Sequence, residues 1–422
     1  MKPSSRRAFL HHTAAAAATL PFAVHAAGPE VIRVGLVGCG GRGTGAASQA
    51  LRADAHARLV AMADVFGDRL ESSLRTLQTG EGLAQKIDVP RERQFVGWQA
   101  CDQLLAADVD VVLLCTPPHF RPAQLAAAVK AGKHVFAEKP VAVDGPGVRS
   151  VLATCEAAAK KRLNVVSGLC LRFSKGFGEL VGRIHGGALG EVHTLFANDY
   201  RGTIWHKARQ AEWTDMHDQM RNWYYYTWLS GDFNVEQHVH YLDVGAWVMR
   251  GYPVRAIGMG GRQVRTGPQY GNIFDHHSVV YEYANGARMV SNTRQMQGCK
   301  SDMSAQVVGS MGRANLNERK GGLTIDAAGK PRWVYEGADN NIYQTEHDEL
   351  FAAIRSGRPI NNGEYMAKST LLAIMGRMAT YTGQQVTWEQ ALQSKEHLGP
   401  ERYEWGAAPE APIAIPGVTR LE

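Results

Sequence analysis

The chain has 422 residues, 45% of them hydrophobic, and a formal net charge of +6. Such a length and apolar share can bury large cores and suit two domains. The first 26 residues hold three basic and no acidic groups, so the remainder carries +3, too little to argue for nucleic acid or an anionic membrane as partner.

The first feature along the chain is a basic start, Lys2, Arg6 and Arg7, followed by an alanine-rich apolar run over 13–24 and small residues that suit cleavage. This layout reads as a secretory signal over 1–26, too short and too weakly apolar to remain in a bilayer. Ser5-Arg6-Arg7-Ala8-Phe9-Leu10 resembles the twin-arginine signal of bacterial exported proteins. That route carries folded proteins, so the expectation is a soluble periplasmic protein that acquires its cofactor before export. No later segment has about 18 consecutive apolar residues, so no membrane span is expected. Cys39, Cys101, Cys115, Cys155, Cys170 and Cys299 are scattered without a C-x-x-C pair, which excludes a thiolate zinc site on spacing. They are expected mostly as free, inert thiols, with room for one disulfide in an oxidising compartment.

The run VIRVGLV over 31–37 reads as a strand, and the small-residue segment TGAASQALRA as a helix. Between them stands Gly38-Cys39-Gly40-Gly41-Arg42-Gly43, a G-x-G-x-x-G turn with strand before and helix after. In that setting the first glycine permits the tight turn, the second lets backbone approach a pyrophosphate, and the third lets helix and strand pack. The helix N-terminus then faces the phosphates. A second strand, 57–63, ends at Asp64, where a carboxylate can bind a ribose 2′-hydroxyl and repel a 2′-phosphate, so NAD is expected rather than NADP, with Arg69 close by in sequence.

The alternation continues with strands over 108–115, 133–137 and 164–169 and helices over 122–132 and 148–161, a doubly wound parallel sheet. Ligands of such sheets lie beyond the strand carboxyl ends. The candidate cofactor contacts are therefore Gly38, Cys39, Gly40, Arg42 and Gly43 in the turn, Asp64, and Thr116, Pro117, His119, Glu138 and Lys139 at the strand ends.

Several motifs together resemble the glucose–fructose oxidoreductase, inositol dehydrogenase and rhizopine-catabolism family, written Gfo/Idh/MocA. They are the glycine turn, Cys115-Thr116-Pro117-Pro118-His119, Glu138-Lys139-Pro140, Leu189-Gly190-Glu191-Val192, Val308-Gly309-Ser310-Met311-Gly312, and Gly376-Arg377 with Tyr381-Thr382-Gly383. The resemblance implies a Rossmann domain over 30–172 and, over 173–392, an α/β domain with a large open, mostly antiparallel sheet that floors the site and often mediates dimers or tetramers. It also implies that helices within 341–383 pack back on the first domain, leaving 393–422 as a tail. The implied chemistry is hydride transfer between a nicotinamide and a sugar or cyclitol hydroxyl carbon, and the implied role of Lys139 is to hydrogen-bond cofactor ribose and reacting hydroxyl. Beside a bound NAD⁺ and partly desolvated, such an amine would have a lowered pKa, which suits proton acceptance. Lys139-Pro140 is where a cis bond costs least, and family members often show one.

The family's D-x-G-x-H-x-x-D pattern falls on Glu236, His238, His240 and Asp243, with glutamate for aspartate and histidine for glycine. On one α-helix, at about 100° per residue, Glu236, His240 and Asp243 share about 60° of arc. That would flank an imidazole with two carboxylates, as a general acid–base needs, while His238 points to the far side. A metal site of Glu236, His238 and His240 requires an extended segment, and a purely structural helix is the third reading. Proton transfer by His240 and Lys139, with Glu236 beside them, is favoured, and no metal is expected.

In front lies an aromatic stretch over 205–228, from which Trp205 and Tyr225 are candidate sugar platforms, though such runs also build cores. Arg172-Phe173 matches the Arg-Phe often found after the last Rossmann strand, which makes Arg172 a candidate substrate contact alongside Asp243. Asp275-His276-His277 either reaches the cleft or caps a strand. The leading expectation is a periplasmic NAD(P)-dependent oxidoreductase of carbohydrates with a tightly held, recycled cofactor. The alternatives are an NAD-dependent glycosidase working by transient oxidation, elimination and re-reduction, and a non-catalytic sugar sensor on the same fold.

Overall fold

The apolar runs of the first half pair in parallel because helices cover both of their faces. The computed structural model describes residues 30–422, and the signal expected over 1–26 lies outside the described residues. β1 (Ile32–Val37), β2 (Ala57–Asp64), β3 (Gln94–Val96), β4 (Val111–Leu114), β5 (His134–Ala137) and β6 (Val165–Ser167) form a sheet in the order β3-β2-β1-β4-β5-β6. All of its pairings are parallel. The strand order reverses between β1 and β4, so a crevice opens beyond their carboxyl ends, at Gly38 and Thr116. β3 was not anticipated from the sequence: three residues at a sheet edge, with Val96 half exposed, carry too little apolar pattern.

The second sheet has nine strands. These are β7 (Val192–Arg201), β8 (Arg255–Gly261), β9 (His276–Glu282), β10 (Arg288–Gln295), β11 (Asp302–Gly309), β12 (Gly312–Leu316), β13 (Thr324–Ala327), β14 (Trp333–Val334) and β15 (Val386–Thr387). Their order is β14-β13-β12-β11-β7-β10-β9-β8-β15, and among the described residues β7 with β10 is the one parallel pair of this sheet. The inner face, with Leu195, Ala197 and Met289 buried, receives the helix Val239–Met249. Contact there is tight enough that a Cβ on Gly245 would lie 2.5 Å from the Met289 sulfur. The outer face carries an apolar row in register across four strands, Ile257, Val280, Val290 and Phe196. Phe196 and Ile257 are 36% and 53% exposed, so this row is not covered by the described residues.

Two long C-terminal helices join the domains. Ile342–Ser356 packs on the first domain, with Arg355 paired to Asp54 at 2.7 Å. Gly363–Thr382 is wedged between the two: Arg377 Nη1 donates to the Val143 carbonyl at 2.6 Å, and Asn234 Nδ2 donates to the Ala373 carbonyl at 2.9 Å. Beyond residue 393 the chain has no helix or strand, yet it is fixed to both domains. The Leu398 N–H donates to Asp144 Oδ2 at 3.3 Å, and the Met216 N–H donates to the Gly406 carbonyl at 3.0 Å.

Candidate active site

The glycine turn is shaped by close backbone approach. Gly38 has φ +93°, where only glycine is unstrained, and a Cβ there would lie 2.6 Å from the Cys115 carbonyl carbon. A Cβ on Gly43 would overlap the Gly38 carbonyl oxygen. At Gly40 the nearest atom to an added Cβ is Arg69 Nη1 at 3.7 Å, so this peptide faces open space. That space is a cavity of about 540 Å³, within the range of ligand pockets. Its wall includes the turn, Asp64 and Thr116 from the first domain and Trp205, Lys207 and Trp223 from the second. Asp64 Oδ2 accepts from the Cys39 N–H at 2.6 Å and Oδ1 from the Phe66 N–H at 2.9 Å. Burial raises the Asp64 pKa, and these two donors oppose it. Tight glycines flanking an open one, with a fixed carboxylate on the same wall, fit a dinucleotide.

Some expected cofactor contacts are otherwise engaged. Cys39 turns its thiol to the Ala63 carbonyl, 3.5 Å away, and its N–H is held by Asp64. Arg42 lines the cavity, but its guanidinium bridges Glu138 and Glu346, the latter at 2.7 Å. Pro117 lines the wall, whereas His119 does not. His119 Nε2 lies 2.7 Å from the Tyr403 hydroxyl, and its ring meets Trp228 edge-on at 5.0 Å. Burial pushes its pKa down to about 4. His119 is therefore corrected from cofactor contact to anchor of the C-terminal segment, a neighbour 284 residues away that sequence spacing does not reveal.

Lys139 stands just past β5, after which the Lys139-Pro140 bond is cis. Its Nζ donates to the Glu236 carbonyl at 2.6 Å and to Glu236 Oε1 at 3.0 Å, joining the two domains. This contact corrects the expected single helix. The Glu236 carbonyl, which an unbroken helix would offer to the His240 N–H, accepts from the lysine instead. The chain accordingly forms a short helix, Phe233–Glu236, and a separate one, Val239–Met249. His240 is half-buried beside the same corner, its Nδ1 4.0 Å from Cys170 Sγ. Burial first, then the charges of Lys139, Arg201 and Arg42, hold its pKa well below the ordinary histidine value, so the ring is neutral near pH 7.

Neither carboxylate hydrogen-bonds that ring: Glu236 is held by Lys139. Asp243 accepts from Arg172 Nε and Nη2 at 2.8 and 2.9 Å and from Ser369 Oγ at 2.7 Å. Arg172 also lies over the rings of Trp247 and Tyr365, at 4.9 and 4.5 Å. Both residues are thereby corrected from substrate contacts to a bidentate strut between the domains. Tyr225 is corrected as well: it is buried, and its hydroxyl donates to the Trp205 carbonyl at 3.1 Å. Trp205 is 44% exposed and faces the dinucleotide cavity rather than the Lys139 corner. His238 turns to the sheet, with Nε2 2.7 Å from Ser291 Oγ. Asp275 caps the N–H groups of Gln263, Val264 and Arg265, which settles its role as a loop cap. Among the described residues, no group of three or more His, Cys, Asp or Glu is arranged to hold a metal.

Sequence reasoning passed over Asp199 and Arg201 on β7. Asp199 accepts from both Arg201 Nε and Nη2, is buried, and has its pKa raised by that burial. Arg201 is among the charges that depress His240. The signal was present: β7 alternates, and its inward positions pass from Leu195 and Ala197 to a charged residue at 199.

Two family descriptions match the chain. Residues 32–168 match an oxidoreductase family with an NAD-binding Rossmann fold, and 179–315 match the GFO/IDH/MocA C-terminal domain. Inositol 2-dehydrogenase of Rhizobium meliloti is 24% identical over 335 residues, which are 78% of this chain and 90% of that protein. 2,7-anhydro-N-acetylneuraminate hydratase of Escherichia coli is 25% identical over 210 residues, and the match spans 50% of each chain. Aldose-aldose oxidoreductase from Caulobacter crescentus, solved with glycerol, shares the fold with a TM-score of 0.66 at 21% identity, over 85% of this chain and all of that one. With both of its domains matched, the chain belongs to the Gfo/Idh/MocA oxidoreductase family and has its NAD-binding Rossmann fold.

Proposed function

We propose that this chain is an exported, NAD-dependent oxidoreductase that transfers hydride between the nicotinamide and a CH–OH carbon of a sugar, cyclitol or glycoside. The observation that carries this reading is the meeting of Lys139, from the first domain, with Glu236 and a neutral His240, from the second. The likeness to proteins named for inositol and aldose chemistry supports the substrate class. Asp64 on the cavity wall favours a ribose 2′-hydroxyl over a 2′-phosphate, hence NAD. Outside the cytoplasm no free NAD pool is expected, so the cofactor is resident and recycled between an oxidised and a reduced substrate.

When bound, the nicotinamide supplies the hydride acceptor, or the donor in the reverse direction. His240, unprotonated at neutral pH, is in the right state to take the hydroxyl proton. Lys139 Nζ has three donors, two of them on Glu236, which leaves one for the substrate oxygen. The cations that depress His240, Lys139 and Arg201, also favour negative charge developing on that oxygen.

Likeness to a hydratase favours a second reading, redox-neutral cleavage of a glycoside by transient oxidation. One experiment separates the readings. The purified protein is given free sugars and cyclitols with NAD⁺, and aryl glycosides without it. Bound NADH, up to one per chain, is expected from the first set, with continued turnover only when a reducible second sugar is added; aglycone without net NADH would favour the second reading. Loaded protein that turns over neither set would sink both and leave the sensor. Cell fractionation is expected to find the protein outside the cytoplasm, and cytoplasmic residence would remove the export part. The uncovered row of Ile257, Val280, Val290 and Phe196 supports self-association through the open sheet. Ile257→Lys is expected to reduce the mass measured by light scattering to that of one chain; an unchanged mass would count against this interface.

A further inference from the structure

The dinucleotide cavity has an apolar end beyond Asp64, walled by Phe66, Trp98 and Phe120. Trp98 Nε1 is buried there without a hydrogen-bond partner. That N–H is closed off from the cavity, so what this wall offers a ligand is the flat ring. A flat ring suits an adenine, which has a π-face to stack.

Behind that wall runs the C-terminal segment, which does not itself line the cavity. Trp405 packs on Trp98 at 4.8 Å and on Phe66 at 5.5 Å, and Tyr403 stacks on Trp98 at 5.7 Å. Tyr403 also meets Phe120 at 5.4 Å and holds His119 by its hydroxyl. The segment starts on the first domain, at Asp144, and ends on the second, where Gln219 Nε2 donates to the Pro409 carbonyl at 3.1 Å. It thus fastens the stretch containing Met220 and Trp223, two further wall residues, over the glycine turn. Arg221 adds a second clasp, paired with Asp68 at 2.7 Å above the Phe66 ring. Tyr403 and Trp405 remain 39% and 42% exposed, so they lie at the surface of this aromatic cluster rather than within it.

We propose that residues 399–409 form a strap that retains the dinucleotide by bracing the aromatic wall at its adenosine end, with Trp98 as the adenine contact. The proposal rests on the reading of this cavity as the NAD site. It explains how a resident cofactor survives where none can be replaced: release requires the strap to detach and the two domains to part.

The test follows NADH fluorescence in the full-length protein. Wild type is expected to keep NADH through gel filtration, and Trp405→Ala is expected to release it at least roughly tenfold faster, the loss of about 1.4 kcal/mol. Equal release rates in a folded variant would overturn the strap. Hydrogen exchange over 399–409 in wild type needs no variant: NADH is expected to slow it, and identical exchange with and without NADH would overturn the strap independently. Failure of wild type to bind NADH at all would instead overturn the cavity assignment, and the strap with it.

Discussion

His240→Gln is expected to lower kcat by about 10²–10⁴-fold while NADH affinity stays near wild type. The size follows from the loss of a positioned proton carrier, and the selectivity from its place, since His240 does not line the dinucleotide cavity. The pH dependence sharpens the expectation. Burial and neighbouring cations lower the His240 pKa, so the ring protonates only well below the ordinary value of about 6.5. Activity dependent on the neutral ring should therefore hold steady as pH falls from 8 toward that value, with its acid limb lying lower. The limb should vanish from the residual rate of the Gln variant. A wild-type limb at the ordinary histidine midpoint, or full turnover in the variant, would remove His240 from the reaction.

The second large effect is a contrast within the glycine turn. Gly43→Ala is expected to destabilise the protein even without cofactor, by about 1–3 kcal/mol, because its Cβ meets fixed backbone at Gly38 rather than a side chain that can rotate away. Gly40→Ala is expected to leave the melting temperature unchanged, since an added Cβ there meets only the tip of Arg69. That methyl nonetheless projects into the cavity and should weaken NADH binding by tenfold or more, roughly the effect of 1.4 kcal/mol. Melting curves of the cofactor-free proteins and NADH titrations read the two effects separately. A Gly40→Ala protein with unaltered NADH affinity would mean that the pyrophosphate does not lie on this turn.

The legible and illegible parts of the molecule divide along the range of the interactions involved. The Rossmann strands and the glycine turn announce themselves locally, through continuous apolar runs and a spacing that only close backbone packing demands. The candidate site was legible as a set of residue types at positions 139, 236 and 240, and less so as geometry. A helix drawn through 236–243 ignores the amine of Lys139, 97 residues earlier, which takes the carbonyl that would continue that helix. Arg172 and Asp243 were each read as facing a substrate because nothing in their spacing shows that they face one another. The packing of residues 399–409 was illegible for the same reason: they have no periodicity, and their partners, Trp98, His119 and Gln219, lie far off in sequence.

The most direct measurement is a crystal structure with NAD bound. Hydride transfer assisted by Lys139 and His240 requires the nicotinamide to lie where the two domains meet, with Lys139 Nζ and the His240 ring both on the face that receives the substrate. Lys139 Nζ should then stand within about 3 Å of a ribose or substrate oxygen. A nicotinamide bound away from that corner, or lying with Lys139 and His240 on opposite sides of it, would contradict the assignment.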